Sequence, residues 1–205
     1  MGTETEIKRL LTPAEHAIVQ KSLNHVAVLL HVKDQKNHYF DTADQQLRAQ
    51  KAMLRLRQEG KKITATLKYK SSLEKGISRA TELEQRVETL PTGEFSPTEL
   101  KLESWFTGKG PLAQVGAHAQ LARVGSMLNT RRTYGTKPPI LPEELHLELD
   151  HTVYDDGTVR DELECETDDP HAVAKLLDAW LKSLGVAVVP ATETKYAQFL
   201  RLHDE

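Results

Sequence analysis

Five segments of the chain alternate apolar residues with charged or polar ones at a period of two, and this pattern restricts the fold more than any other feature. The segments span residues 54–57, 63–70, 82–87, 145–150 and 162–167. Successive side chains of a strand point to opposite faces, so each segment predicts a strand with one apolar face. Gly60-Lys61 and the turn at residues 154–157 are typical of hairpin connections. The sequence therefore predicts a mostly antiparallel sheet.

Residues that are typical of helix N-termini lie between these predicted strands. Thr12-Pro13-Ala14-Glu15 and Ser96-Pro97-Thr98-Glu99 both have the sequence of a capping box with proline at the first helical position. Asp169-Pro170 starts a third predicted helix, whose apolar residues keep helical spacing until Gly185. A fourth helix is predicted near Thr192. Helices interspersed among antiparallel strands indicate an α+β fold, and we expect residues 1–205 to form one domain.

The charged residues of these strands are segregated by sign. One predicted hairpin carries cations at these positions, and two other strands carry glutamates. The cations are Arg55, Arg57, Lys68 and Lys70, and the glutamates are Glu82, Glu84, Glu162, Glu164 and Glu166. For one strand alone, a solvated outer face is the simpler interpretation, because exposed charges are ordinary there. For the whole set, a surface selected for solubility would intersperse the signs, and neighbouring cations would repel unless an anion bound between them.

If the sheet closes into a barrel, every second residue of each strand faces the interior. These residues are called one parity of the strand. The charged residues would then line the interior, and helices would cover the apolar exterior. Cations hold phosphate oxygens, and carboxylates hold Mg²⁺ or Mn²⁺, which prefer oxygen ligands. A polyanion with a bound divalent metal ion would satisfy both groups. In that arrangement Glu4 and Glu6 would point inward as metal ligands or as bases that orient water, and Lys8 would contact phosphate.

The overall composition excludes several other classes of protein. The 27 Lys and Arg residues are balanced by 30 Asp and Glu residues, which gives no basic excess for nucleic acid. No apolar stretch approaches the roughly 20 residues of a membrane helix. The single cysteine, Cys165, excludes an intramolecular disulfide and indicates a reducing compartment. We therefore expect a cytoplasmic protein that binds neither nucleic acid nor membrane.

The opening Glu4-x-Glu6-x-Lys8 begins a series of short motifs that runs in order along the chain. The others are His38-Tyr39-Phe40-Asp41-Thr42, Leu54-Arg55-Leu56-Arg57, Leu67-Lys68-Tyr69-Lys70, Gly76-Ile77-Ser78-Arg79, Glu148-Leu149-Asp150, Glu162-Leu163-Glu164-Cys165-Glu166-Thr167 and Thr194-Lys195-Tyr196. This ordered set resembles the CYTH superfamily, the triphosphate tunnel metalloenzymes, and most closely its compact bacterial and plant members. The resemblance covers residues 4–196, essentially the whole chain.

The resemblance implies an eight-stranded antiparallel β-barrel with helices packed on the outside, which binds a triphosphate along its axis. It also implies roles for individual residues. The implied phosphate ligands are Lys8, Arg55, Arg57, Lys68, Lys70, Arg131 and Lys195. The implied ligands of Mg²⁺ or Mn²⁺ are Glu4, Glu6, Asp150, Glu162 and Glu164, and the implied catalytic residues are Glu4, Glu6 and Lys8. The resemblance leaves open the roles of Glu82, Glu84, Glu148 and Arg79. Arg131 and Arg132 are adjacent, so only one can face the interior, and the family spacing favours Arg131.

Several activities are consistent with such a tunnel. The leading prediction is metal-dependent hydrolysis of a terminal phosphoanhydride in inorganic tripolyphosphate, and also in nucleoside triphosphates. One alternative is a class IV adenylyl cyclase, which converts ATP to cyclic AMP and pyrophosphate. Another is a non-catalytic sensor that binds polyphosphate or nucleotide. In each case the partner is a small molecule containing a triphosphate, and the protein is expected to be a monomer or a homodimer.

Overall fold

The strands and helices of the chain are seen in a computed structural model, which describes residues 2–106, 110–138, 141 and 145–204. The strands in these residues are β1 (Gly2–Leu11), β2 (Ala27–Asp41), β3 (Met53–Glu59), β4 (Lys62–Glu74), β5 (Ile77–Val87), β6 (Ala122–Thr136), β7 (His146–Tyr154), β8 (Val159–Glu166) and β9 (Val189–Pro190). The α-helices are α1 (Pro13–Val26), α2 (Gln46–Ala49), α3 (Pro111–Val115), α4 (Pro170–Ser183) and α5 (Lys195–Asp204). Two 3₁₀ turns occupy Pro97–Leu100 and Glu103–Phe106.

Hydrogen bonds join the strands in the order β5-β4-β3-β2-β6-β7-β8-β1-β9, and β5 also pairs with β1. The additional pairing closes the first eight strands of this order into an antiparallel β-barrel, while the short β9 pairs only with β1 at Arg9 and Leu10. The α+β class and the eight-stranded antiparallel barrel predicted from the sequence are therefore confirmed.

Each of the five alternating segments falls in a strand, except that Leu145 precedes β7 and Thr167 follows β8 by one residue. The predicted helix starts have mixed outcomes. Thr12 and Asp169 cap α1 and α4 through their side chains, as predicted. The capping box at Ser96 also forms, but it opens a 3₁₀ turn of four residues instead of the predicted helix. Lys101 follows that turn with a φ of 56°, a left-handed conformation that interrupts a helix.

The chain divides into two compact units. The first unit consists mainly of residues 35–71 and 80–128, and the second consists of residues 4–34, 72–79 and 129–205. In the second unit the apolar parity of β1, β7 and β8 packs against α1 and α4, with Leu23 and Leu177 from the helices in the same core as Ile7, Leu149 and Leu163. The charged parity therefore lies on the opposite face of these strands.

The first unit has an equivalent core on its own strands. Leu54 and Leu56 of β3 and Leu67 of β4 are fully buried, and they share a core with Leu47 of α2 and Leu112 of α3. Here too the apolar parity is the one that helices cover. Helix packing against the apolar side of the strands agrees with the predicted arrangement in both units.

Arg9 of β1 is a charged exception on the apolar parity of the second unit. Its side chain is almost completely buried, and it lies opposite Leu163 of β8. Its Nε and Nη2 atoms donate to the two carboxylate oxygens of Asp178 in α4, at 2.7 and 3.2 Å. This bidentate pair satisfies a buried charge and fixes α4 to the strand.

Gly76 in the turn before β5 lies directly against β1. Its carbonyl oxygen accepts a hydrogen bond from the Lys8 backbone N–H at 2.7 Å. Its φ is +72°, and a Cβ atom there would lie 2.6 Å from the Lys8 carbonyl oxygen and 2.9 Å from the Cβ atom of Pro190. A side chain at this position would therefore push β1 and β5 apart.

We expect Gly76→Ala to lower the free energy of unfolding more than Gly157→Ala does. Both glycines have positive φ, and both substitutions therefore cost about 1–2 kcal/mol in backbone conformation. A Cβ atom at Gly157 would have no other atom within 4 Å, whereas one at Gly76 adds a backbone clash that costs roughly 1–3 kcal/mol more. Urea denaturation of both variants measures the difference. Equal losses of stability would contradict close packing at Gly76.

Candidate functional site

Strand register brings charged residues together on one face of the second unit. Glu164 of β8 lies opposite Lys8 of β1 on one side and opposite Glu148 of β7 on the other. Glu162 likewise lies opposite Asp150. Residues directly opposite each other on paired strands point to the same face. The resulting ionic face comprises Glu6, Lys8, Arg131, Glu148, Asp150, Arg160, Glu162 and Glu164, with Lys195 contributed by α5.

Glu164 is the most highly connected carboxylate of the ionic face, and it is 3% exposed. Its Oε1 atom accepts from the ammonium groups of Lys8 and Lys195, each at 2.7 Å. Its Oε2 atom accepts from Nη2 of Arg131 at 2.7 Å. The Lys8 ammonium also lies 2.5 Å from Glu6. Three of the predicted phosphate ligands therefore meet at one predicted metal ligand.

Asp150 and Glu162 complete the network, and both are fully buried. Asp150 accepts from Nε and Nη2 of Arg131 at 2.8 and 2.6 Å, and from Lys195 at 2.9 Å. Glu162 lies 2.6 Å from the Lys195 ammonium. Glu148, whose role the sequence left open, is paired with Nη1 of Arg131. Arg131 and Lys195 therefore each bridge several carboxylates.

The two adjacent arginines of β6 have different environments. Arg131 contacts three carboxylates of the ionic face, whereas Arg132 lies near His16 of α1. Burial lowers the pKa of His16, and the charges of His151 and Arg132 lower it further. Arg131 is thus the arginine on the ionic face, in agreement with the spacing argument.

Arg160 belongs to the ionic face although the sequence analysis did not select it. It is 6% exposed, and its Nη2 atom donates to Glu162 and to the backbone carbonyl of Glu193, both at 2.7 Å. Its Nη1 atom donates to Gln198 of α5 at 2.7 Å. Arg160 has the same strand parity as Glu162 and Glu164, so extending the alternation by one step toward the start of β8 would have found it.

The charges of the ionic face shift the pKa values of its members. Burial would raise the pKa of Asp150, but Arg131 and Lys195 outweigh it and lower this pKa from 3.8 to about 2. Burial would likewise raise the pKa of Glu164, and the surrounding cations instead hold it well below its usual value. Burial would lower the pKa of Lys8 and of Lys195, but the carboxylates raise both. Each partner therefore keeps the other charged.

A smaller charged cluster lies within the first unit. The Lys68 ammonium is 3.0 Å from Glu82, and an Arg55 Nη2 atom is 3.8 Å from the same residue. Arg55 also donates to the Thr66 hydroxyl at 3.1 Å, and this hydroxyl donates to Glu84 at 3.0 Å. The structure thus brings together two predicted phosphate ligands, Arg55 and Lys68, and two of the three glutamates whose roles were open.

The remaining predicted site residues lie outside these two charged clusters. Arg57 of β3 is half-buried and donates from Nε to Asn37 of β2 at 3.0 Å. Glu4 is half-buried on the same parity of β1 as Glu6. Lys70 and Arg79 are exposed, and Lys70 departs from regular strand geometry with a φ of 52°. The phosphate and metal roles of these residues stay predictions.

The carboxylates of the ionic face are suitable ligands for Mg²⁺ or Mn²⁺, but the ammonium group of Lys195 lies among them. Carboxylate oxygens of Asp150, Glu162 and Glu164 converge on the Lys195 Nζ atom at 2.9, 2.6 and 2.7 Å. Among the described residues, no group of three or more His, Cys, Asp or Glu side chains is arranged to hold a metal ion as it stands. The buried Glu162 Oε2 atom is ion-paired with Lys195 but accepts no hydrogen bond of regular geometry from the described residues. The oxygen ligands therefore fit a divalent cation, provided that Lys195 moves.

The comparisons with known proteins agree with this arrangement of strands. The family model of the CYTH domain matches residues 2–194. The chain belongs to the CYTH family. The resemblance inferred from the ordered motifs is therefore confirmed over nearly the whole sequence.

Solved structures of other proteins are similar to this CYTH domain over almost its full length. HpAC1 from Hippeastrum, whose dominant activity is that of a triphosphatase, is 25% identical with a TM-score of 0.78, over 97% of this chain and 95% of that one. A candidate adenylate cyclase (bh2851) from Bacillus halodurans is 27% identical with a TM-score of 0.64, over 97% and 99% of the two chains. The Mimivirus capping enzyme triphosphatase is 9% identical with a TM-score of 0.51, over 87% and 88%, and shares the fold alone.

Two further findings are negative. No curated protein matches the chain. Of the helices in the described residues, none is both long enough and apolar enough to cross a membrane.

Stability should fall at acidic pH because the ionic face lowers carboxylate pKa values. A carboxyl whose pKa is lower in the folded state stabilises that state above its unfolded pKa, about 3.9 for Asp, and this contribution is lost as pH falls toward the folded value. For Asp150, with a folded pKa of about 2, we expect a loss of roughly 2 kcal/mol between about pH 5 and pH 2. Urea denaturation at successive pH values measures the free energy of unfolding.

The variant Asp150→Asn tests the source of this pH dependence. It should be less stable than the wild type at pH 7, and its free energy of unfolding should depend less steeply on pH below 5. Asp168→Asn removes an exposed carboxylate between β8 and α4 and is the charge-matched control. A pH dependence in Asp150→Asn as steep as that of the control would contradict the assignment.

Proposed function

We propose that this CYTH protein is a metal-dependent triphosphatase that hydrolyses the terminal phosphoanhydride of inorganic tripolyphosphate and also accepts nucleoside triphosphates. The observation that carries the proposal is the ionic face, where Lys8, Arg131 and Lys195 converge on buried carboxylates. Membership of a family that includes triphosphatases and cyclases makes a phosphoanhydride the natural ligand for such cations. HpAC1, with its dominant triphosphatase activity, supports hydrolysis as the reaction.

Phosphate oxygens can take the place of carboxylate oxygens at these cations. Lys8, Arg131 and Lys195 already contact two or three carboxylate groups each, at hydrogen-bond distance. A terminal phosphoryl group offers three oxygens of the same charge-assisted acceptor type. The cations are thus kept charged by their carboxylate partners before substrate binds, and they would stabilise the charge that develops on the transferred group.

Glu6 is the carboxylate that we propose to orient and deprotonate the attacking water, together with Glu4. Glu6 is half-buried on β1 and lies 2.5 Å from the Lys8 ammonium, which ties it to a proposed phosphate ligand. A general base must lie within reach of the group that it activates, and the pairing of Glu6 with a proposed phosphate ligand supports this role. Lys8 would then bind the substrate while Glu6 activates water next to it.

The metal ion of this proposal is Mg²⁺ or Mn²⁺, held by Asp150, Glu162 and Glu164 with help from Glu4 and Glu6. When bound, such an ion neutralises phosphate charge and orients the substrate. The predicted phosphate ligands of the first unit are retained in this proposal. They are Arg55, Arg57, Lys68 and Lys70. A single domain over residues 1–205, a cytoplasmic location, no binding of nucleic acid or membrane, and a monomer or homodimer also stay predictions.

Adenylyl cyclase activity is the second candidate function. It is favoured by the likeness to the candidate adenylate cyclase of Bacillus halodurans, which is 27% identical to this chain. A cyclase would release pyrophosphate from ATP and form cyclic AMP, whereas a triphosphatase releases orthophosphate. A sensor would bind the triphosphate and release neither product.

Product analysis distinguishes these functions. Purified protein is incubated with tripolyphosphate, ATP, GTP and thiamine triphosphate, each with Mg²⁺ and with Mn²⁺, and orthophosphate, pyrophosphate and cyclic nucleotide are quantified separately. We expect metal-dependent orthophosphate release, fastest from tripolyphosphate. Cyclic AMP with pyrophosphate would replace the proposal with the cyclase, and tight binding without products would replace it with the sensor.

Glu6→Gln should lower kcat for tripolyphosphate by at least about 100-fold, because it removes the proposed base, while Kd for tripolyphosphate changes little. Steady-state kinetics gives kcat, and isothermal titration calorimetry in the presence of a chelator gives Kd for both proteins. Glu88→Gln makes the same chemical change at an exposed position after β5 and is the control. A Glu6→Gln protein that keeps most of its turnover would exclude Glu6 as the base.

A further inference from the structure

The geometry points to Lys195 as an internal substitute for the metal ion: its ammonium group occupies the position of the divalent cation, so that metal binding requires the lysine side chain to leave. This inference rests on the proposed function, because it concerns the same carboxylates. It goes beyond that function by predicting that Lys195 and the metal ion compete for the same carboxylates. As a result, the protein without substrate should bind Mg²⁺ or Mn²⁺ weakly.

The first support is the convergence of three buried carboxylates on a single point. Lys195 Nζ lies 2.6–2.9 Å from oxygens of Asp150, Glu162 and Glu164, which come from two adjacent strands. Hard divalent cations bind such oxygens at about 2.0–2.4 Å. Small inward movements of these side chains would therefore convert an ammonium site into a metal site.

The second support is the poor fit of an ammonium group to Glu162. The Lys195 ammonium donates aligned hydrogen bonds to Asp150 and Glu164. Its contact with Glu162 Oε2, at 2.6 Å, is the shortest of the three and is an ion pair, but it lacks the geometry of a hydrogen bond. The charge of Glu162 is therefore compensated, while its buried oxygen receives no aligned N–H group. A metal ion has no directed N–H bonds, so it would satisfy Glu162 Oε2 at the same position.

The third support is the accessibility of Lys195 compared with its partners. The side chain of Lys195 is 17% exposed, whereas those of Asp150 and Glu162 are 0% exposed and that of Glu164 is 4% exposed. Lys195 is therefore the member of this cluster with the greatest access to solvent, so it is the one that can leave when a metal ion binds.

The exchange would involve the side chain of Lys195 and leave its backbone in place. The Lys195 carbonyl accepts from the Tyr154 hydroxyl at 3.2 Å. Two residues earlier, the Glu193 carbonyl accepts from Arg160 at 2.7 Å. The first turn of α5 is also capped by the Thr194 side chain, which accepts from Ala197 N–H at 3.1 Å. These contacts hold the start of α5, while the lysine side chain can rotate about its own bonds to follow a phosphate oxygen.

The consequence is that metal and triphosphate should bind together. Each of them releases a group that the other needs: phosphate attracts the Lys195 ammonium, and the metal ion takes the three oxygens that the ammonium leaves. Either ligand alone would have to break ion pairs without replacing all of them. With the metal ion alone the Lys195 ammonium would lose its partners, and with triphosphate alone the carboxylates would lose theirs, so all of these charges are compensated only when both ligands are present.

Removing the ammonium group is the direct test. We expect Lys195→Met to bind Mn²⁺ at least about ten-fold more tightly than the wild type, measured without substrate from the electron paramagnetic resonance signal of free Mn²⁺. Lys175→Met removes the same charge from an exposed position of α4 and should leave Mn²⁺ affinity unchanged. Adding Glu162→Gln to Lys195→Met should abolish the gain. Equal or weaker Mn²⁺ binding by Lys195→Met would overturn the inference, even if the wild type proves to be a metal-dependent triphosphatase.

A measurement on the wild type covers the case in which Lys195→Met does not fold. The ¹⁵N resonance of the Lys195 ammonium, assigned by its loss in Lys195→Arg, is followed while Mg²⁺ and imidotriphosphate are added. We expect this resonance to shift or broaden as Mg²⁺ binds. An unchanged resonance in the Mg²⁺-bound protein, or no Mg²⁺ binding at all, would overturn the inference. Turnover is not needed in either experiment, so a failure of the proposed reaction would be seen separately in the product analysis.

Discussion

The compensation of buried charge on the ionic face is the constraint on which the candidate site depends. Removing one partner of a buried ion pair costs roughly 3–5 kcal/mol, because the other charge remains without compensation. Here Glu164 is bonded to Lys8, Arg131 and Lys195 at once, and Asp150 to the last two. The network therefore keeps Asp150, Glu164, Lys8 and Lys195 ionised at neutral pH, since each pKa is shifted in favour of the charged form. A ligand can still bind to these charged side chains if it supplies a group of the same charge for each ion-pair partner that it displaces.

The apolar and charged faces of the strands depend on each other through register. Ile7 and Cys165 lie opposite each other in the core of the second unit, and Lys8 and Glu164 lie opposite each other on the ionic face. A slip of one residue between β1 and β8 would exchange the two sets and place charges in the core. The packing of α1 and α4 against the apolar parity thus also positions the charged side chains, and this links the stability of the core to the geometry of the site.

The period-two alternation was sufficient to predict the strands β3, β4, β5, β7 and β8, because one buried face imposes that pattern. It did not predict β2, whose first residues, Ala27, Val28, Leu29 and Leu30, form a continuous apolar run, or β6, whose small and polar residues lack a clear alternation. The ordered motifs identified most members of the ionic face. They could not show which charges pair, since Glu148 and Glu164 come together only through strand register. Arg160 was missed because the motif was taken to begin at Glu162, and the position of Lys195 among the carboxylates follows from the placement of α5.

The proposed function requires the cations of the ionic face to exchange carboxylate oxygens for phosphate oxygens when a triphosphate binds. A crystal structure with imidotriphosphate and Mg²⁺ would show whether this exchange occurs. We expect phosphate oxygens within hydrogen-bond distance of Lys8, Arg131 and Lys195, with Mg²⁺ on Asp150, Glu162 and Glu164. A bound triphosphate that leaves these ion pairs intact and lies elsewhere would rule the exchange out.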